Sequence, residues 1–282
     1  MAPALTGQEA LADIVPVLVG TFMAALKHRL LGGVALLTLF ETSGALAASP
    51  TPTWTGFYFG AHAGYGWGSV DGDTTRTVVI PPPSAPNFWV NTPNPIPFVF
   101  ARDINPNGGL GGFQAGYNFQ ADRAVYGIET DFTWTGQSDS IVLSGDTRPR
   151  NFNTEDFSYN ETTSARLKYM GTVRGRLGYA VGQFLPYVTG GLAWGRISMD
   201  TNWLLHQFNQ VTNLPFSGSE SHTHIGWTLG AGFEYAFAER WSAKAEYLYV
   251  DLGKETYFAG IQGGGSFGMQ DHIVRIGINF RP

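Results

Sequence analysis

Three stretches toward the C-terminal end alternate strictly between large apolar residues and small or polar ones. Over 225–237, Ile225, Trp227, Leu229, Ala231, Phe233, Tyr235 and Phe237 take every second position, with Gly226, Thr228, Gly230, Gly232 and Glu234 between them. Over 241–249, Trp241, Ala243, Ala245, Tyr247 and Tyr249 alternate with Ser242, Lys244 and Glu246. Over 274–281, Val274, Ile276, Ile278 and Phe280 alternate with Arg275, Gly277, Asn279 and Arg281. A period of two predicts strands, because successive side chains point to opposite faces. The residue types predict the surroundings. One face is aromatic and aliphatic; the other is glycine, threonine and a few charges. That second face is too small and too sparsely charged for a water-washed surface. It suits a strand with lipid on one side and a narrow polar lumen on the other.

The same rule finds five more strands. The first has Phe57, Phe59, Ala61, Ala63, Tyr65 and Trp67 outward and Tyr58, Gly60, His62, Gly64 and Gly66 inward. The second, 108–120, places Phe113, Ala115, Tyr117 and Phe119 outward. The third, 124–137, places Tyr126, Ile128, Thr130, Phe132 and Trp134 outward, with Glu129, Asp131 and Thr133 inward. The fourth reads Leu167, Tyr169, Val173, Leu177 and Tyr179 outward, and Lys168, Met170, Thr172, Arg174 and Arg176 inward. The fifth, 185–198, favours Val188, Leu192 and Trp194 outward.

Connections alternate in length. Segments 71–107, 138–163, 199–221 and 253–268 are long and aperiodic, whereas Ala121-Asp122-Arg123, Gly182-Gln183 and Ala238-Glu239-Arg240 are tight turns. The expected fold is all-β: an eight-stranded antiparallel up-and-down transmembrane β-barrel with short periplasmic turns and four long external loops. Trp54, Trp67, Trp134, Trp194, Trp227 and Trp241 fall near strand ends and are expected to form the aromatic girdle.

Composition agrees with this reading. Charged residues are 14% of the 282, against about 25% in soluble proteins. Aromatics are 14%, Gly numbers 37, and the mean hydropathy of −0.07 argues against a helical membrane bundle but not against a barrel, whose lumen offsets its outer face. The absence of Cys removes thiol nucleophiles, thiolate metal sites and disulfides. A net charge of −5 gives no basic footprint for nucleic acid.

Residues 1–47 read as a signal peptide. Lys27, His28 and Arg29 form a basic start, 30–40 an apolar run, and Ala45-Leu46-Ala47 a cleavage signal before Ala48. Met23 would give a leader of ordinary length, with 1–22 upstream of the true start; a genuinely extended leader is the alternative. The barrel domain is then 48–282.

The expected lumen carries Glu129, Asp131, Lys168, Arg174, Arg176, Glu234, Lys244, Glu246 and Arg275. A closed interior makes each charge seek a partner. The acidic third strand neighbours the basic fourth, so a ladder of salt bridges is expected to plug a barrel only wide enough for side chains. A narrow path for water or ions through rearranging pairs is the alternative. Glu129 and Asp131 are paired carboxylates, but they face Arg and Lys and read as counter-ions rather than as acid–base catalysts. No serine with His and Asp partners and no phosphate-binding loop is recognisable, so no enzymatic activity, cofactor or metal is expected. His222 and His224 share one face, with His206 nearby; such a pair could bind a metal or haem iron, and reads more simply as rim residues.

Several stretches resemble a known family. They are Trp54-Thr55-Gly56-Phe57-Tyr58-Phe59-Gly60, Arg174-Gly175-Arg176-Leu177-Gly178-Tyr179, Leu185-Pro186-Tyr187-Val188-Thr189-Gly190-Gly191, 244–253, and Asp271-His272-Ile273-Val274-Arg275-Ile276-Gly277. Together they are similar to the small outer-membrane β-barrels that include the outer-membrane immunogenic proteins of alphaproteobacteria. The resemblance implies a cell outer membrane location and contact with outer-membrane lipid and lipopolysaccharide. It also implies insertion by the barrel-assembly machinery. Envelope integrity, porin-like permeability, or capture of a host-surface ligand or haemin through the external loops are the roles it suggests. One departure is the C-terminal end: the family usually finishes on an aromatic residue, whereas Arg281-Pro282 follow Phe280 here.

Overall fold

A computed structural model describes residues 53–73, 75–78, 96–99, 104–147, 157–207, 212–259 and 265–282. The leader expected over 1–47 lies outside the described residues. Eleven strands follow one another: β1 (Gly56–Asp73), β2 (Thr75–Val78), β3 (Ile96–Val99), β4 (Asn107–Ala121), β5 (Ala124–Thr135), β6 (Ser138–Thr147), β7 (Phe157–Tyr179), β8 (Phe184–Gln207), β9 (Thr212–Ala236), β10 (Trp241–Tyr257) and β11 (Gly265–Phe280). Eight of them close a ring. The order runs β1-β11-β10-β9-β8-β7-β5-β4, and β4 returns to β1, every neighbour antiparallel. Closure removes both sheet edges, so the ring's strands each have a hydrogen-bonding neighbour on both sides. β2 and β3 form a separate hairpin pairing.

Tight turns join the strands at one end. Asp122 takes a left-handed conformation (φ 52°) between β4 and β5, and Gly182 (φ 60°) fills the same role between β7 and β8, where Val181 and Phe184 exchange backbone bonds. Ala238 and Trp241 bond reciprocally at 3.3 Å between β9 and β10.

At the other end the ladders run on. β7, β8 and β9 have 23, 24 and 25 residues, about twice the ~10 that cross a bilayer. Register shows β6 to be the outer continuation of β5: after a break at Gly136-Gln137 it pairs with β7 from Ser138↔Arg166 to Thr147↔Phe157. The predicted external connections 138–163 and 199–221 are thus largely strand, forming a sheet β6-β7-β8-β9 that stands beyond the closed ring. Alternation fails there because both faces of a strand in water can be polar.

Facing follows the predicted alternation almost throughout. Phe57, Phe113, Ile128, Leu192, Ile225, Leu229 and Ile276 are all more than half exposed on the outside of the ring. The fourth strand is a correction. A β-bulge between Leu167 and Tyr169 in the β7–β8 ladder inserts one residue, so Leu167 is buried inside and Lys168 is exposed outside. One extra residue flips every face beyond it.

Candidate functional site

The interior is layered. Nearest the tight turns, Trp54, Val125, Ala180, Leu185 and Ala236 form a small apolar cluster. Trp54 is fully buried there, so it is not a girdle residue as its position suggested. Arg281 closes over it, its guanidinium 4.6 Å from the Trp54 ring, Nη1 donating to the Thr53 carbonyl at 3.1 Å. The other five tryptophans expected in the girdle lie on the outside: Trp67, Trp134, Trp194 and Trp227 toward the long-strand end, and Trp241 against Phe280 at the turn end.

Above the apolar cluster lies the charged layer, with Glu129, Asp131, Glu234 and Glu246 facing Arg174, Arg176, Lys244 and Arg275. Register sets the neighbours. Glu129 stands opposite Arg174, Lys244 opposite Glu234, and Glu246 opposite Arg275. Contacts also cross the lumen. Arg174 binds Glu129, reaches Asp131 at 3.0 Å, and reaches Glu246 at 3.0 Å on the far wall. Lys244 Nζ donates to both oxygens of Glu129 at 2.9 and 3.0 Å. Arg275 donates to Glu246 at 2.7 Å and to Asp131 at 3.0 Å. Arg176 donates to Glu234 at 2.5 Å and lies 3.7 Å over the Tyr187 ring.

Hydroxyls and amides complete the acceptors' shells. Tyr58 donates to Glu129 at 2.8 Å, Thr172 to Asp131 at 2.7 Å, Tyr187 to Glu246 at 3.1 Å, and Ser242 and Asn279 to Glu234 at 2.5 and 3.0 Å. Four carboxylates and four cations therefore share one buried, charge-balanced mesh. Lys168, expected within it, lies outside the barrel and donates to Ser221 Oγ at 3.4 Å.

The third layer was not expected. Toward the long-strand end the lumen is filled by Leu110, Leu167, Met170, Ile197, Leu248, Val250, Leu252, Met269 and Ile273 among others. Sequence held a trace of it: in Tyr247-Leu248-Tyr249-Val250 both faces of β10 are apolar, which a purely polar lumen would not require. Within this apolar layer, one step outward from Leu248 and Ile273, Asp271 accepts from Gln137 Nε2 at 2.9 Å.

The histidine pair has other work. His224 is buried, its Nε2 2.9 Å from the Tyr257 hydroxyl, and His222 lies 3.2 Å from Glu220. Among the described residues no group of three His, Cys, Asp or Glu is placed to hold a metal. The His206 side chain lies outside the described residues.

The model of the outer membrane protein beta-barrel domain matches residues 33–281. The chain belongs to this outer-membrane β-barrel family. Family members are outer-membrane proteins, so the exposed apolar belt faces lipid and the long-strand end faces outward. The 31 kDa outer-membrane immunogenic protein of Brucella melitensis biotype 1 is 33% identical over 249 residues, covering 84% of this chain and 88% of the relative. The 22 kDa outer membrane protein of Rhizobium leguminosarum bv. viciae is 27% identical over 234 residues, covering 82% and 80%. Among solved structures, Neisserial surface protein A aligns over 81% of this chain and 98% of its own, at 12% identity and a TM-score of 0.37.

Arg281 gives a test of the lower seal. Arg281→Ala uncovers the Trp54 ring and is expected to lower the unfolding free energy by about 1–2 kcal/mol. The measurement is a urea titration of the folded, fast-migrating gel band in vesicles; an unchanged midpoint would show that the contact contributes nothing.

Proposed function

We propose that this protein is a structural, surface-exposed barrel that supports the outer membrane and carries no solute and no catalytic activity. One observation supports the reading above others: the lumen is filled along its length, with a neutral ion-pair mesh between two apolar layers. A conducting path needs a continuous polar line, and here water would have to cross packed Leu, Ile, Met and Val. The carboxylates are bound by cations and hydroxyls, which suits counter-ions and leaves no unengaged acid–base pair.

Planar-bilayer recording of the refolded chain 48–282 tests this. The expected result is no discrete steps from protein whose folding is shown by heat-modifiable gel mobility. Reproducible steps would overturn the plugged reading in favour of a narrow porin, with Arg174, Lys244 and Glu246 as its lining.

A role in surface interaction has its own support. β6 to β9 carry paired backbone well beyond the lipid-facing belt, giving a stiff platform rather than slack loops. Ligand capture there, by a host protein or haemin, belongs with that platform. Barrel-assembly machinery and the lipids of the outer membrane are the remaining proposed partners.

A further inference from the structure

On the outer surface, just beyond the aromatic belt, three cations stand together. Arg196 on β8 lies opposite Tyr169 on β7 and Thr223 on β9. Arg166 on β7 lies opposite Ser138 on β6 and Ser198 on β8. Lys168 lies between them, turned outward by the bulge. Arg166 and Arg196 are diagonal neighbours across the β7–β8 ladder, about 7–8 Å apart. One phosphate ester lies within reach of two such side chains.

Two features separate this cluster from ordinary surface charge. First, none of the three pairs with a carboxylate among the described residues, although the four cations of the charged lumen layer each do. Lys168 donates only to Ser221, which in turn donates to Ser198 at 3.0 Å. The carboxylate one row further out, Asp200, accepts from Ser219 at 2.5 Å. Second, the depth is fixed. Trp134, Tyr169 and Trp194 mark the outer edge of the lipid-facing belt on these same strands. At about 3.3 Å per residue, Lys168, Arg196 and Arg166 lie roughly 3–10 Å above that edge. That is headgroup depth, where basic residues meet lipid phosphates.

We propose that Arg166, Lys168 and Arg196 form a binding site for the phosphorylated glucosamine headgroup of lipopolysaccharide. The Arg forks grip phosphate oxygens, while Ser221 and Thr223 offer hydroxyls to the sugar. The site gives residues to the general expectation of lipid contact and stands whether or not the lumen conducts. It would give the barrel a preferred lipid neighbour on the β7–β8 flank.

The test uses the refolded chain in phosphatidylcholine nanodiscs, titrated with lipid A and read by native mass spectrometry. Each Ala substitution is expected to weaken lipid A binding roughly five-fold, and the triple Arg166→Ala/Lys168→Ala/Arg196→Ala on the order of 100-fold. Arg240→Ala, in a periplasmic turn, should bind as the parent does. Lipid A stripped of its phosphates should bind the parent no better than intact lipid A binds the triple variant. Should the triple variant fail to fold, Lys168→Gln keeps a hydrogen-bonding group toward Ser221 while removing charge, and the same five-fold loss is expected. Undiminished binding by the charge-removed variants would overturn the proposal, as would equal binding of dephosphorylated lipid A. Full competition by inorganic phosphate or by a soluble sulfated polysaccharide would also overturn it, assigning the cluster to a soluble anion. A conductance result leaves all these outcomes unaffected.

Discussion

Arg174→Met is expected to destabilise the barrel by about 3–5 kcal/mol, the range found when one partner of a buried ion pair is removed. Arg174 touches Glu129, Asp131 and Glu246 at once. Without it three cations face four carboxylates in a space that excludes water, and no neighbour can move in, because Lys244 and Arg275 are already bound to the same acids. Methionine approximates the volume, so the loss reports charge and hydrogen bonding rather than a void. The double variant Arg174→Met/Glu246→Gln restores the balance and should recover at least half of the loss. Urea unfolding in vesicles, followed by gel mobility, reads both. A single variant as stable as the parent, or a double variant no better than the single, would refute the mesh as a charge-balanced unit. That result would also remove the main support for a plugged lumen.

The fold was legible because lipid imposes a pattern that few other environments impose. Ile225, Trp227 and Leu229 must be apolar outside, and Gly226, Thr228 and Gly230 must be small or polar inside, so the period of two carries the whole topology. The charged layer was legible for the same reason: once the strands are ordered, Glu129 and Arg174 become neighbours by register. Lys168 was not. A bulge has no composition signature here; Leu167-Lys168-Tyr169 reads as clean alternation in the wrong phase. Trp54 misled because an aromatic at a strand start usually marks the interface, while this one is turned beneath Arg281. The outer sheet was hidden because beyond the membrane neither face needs to be apolar, and strands there look like loops. The upper apolar layer was hidden by the assumption that a lumen is polar from end to end.

That upper layer depends on close strand contact, which leads to the second large effect. Gly226→Val is expected to abolish the folded form or to cost on the order of 3 kcal/mol, the upper range for overpacking. A Cβ at Gly226 would meet the carbonyl oxygen of Asp251 at 1.8 Å, its carbon at 2.8 Å, and the Leu252 Cα at 2.9 Å. All three are backbone atoms, so no side chain can swing away. The closeness has a cause: β10 is in regular register with β9 up to Asp251↔Trp227 and then bulges, with Gly253 at φ 65°. Leu252 lies at the bulge, keeps the inward phase of Leu248 and Val250, and packs in the lumen. Forcing the strands apart would break the β9–β10 ladder near its outer end and open the apolar layer to water. Gly175 is the control, because the atom nearest its added Cβ is 3.9 Å away, and Gly175→Ala should fold normally. Yield of the heat-modifiable band after refolding measures both. Normal folding of Gly226→Val would mean that β10 can retreat without loss, and the packing of Leu252 against the upper lumen would then contribute little to stability.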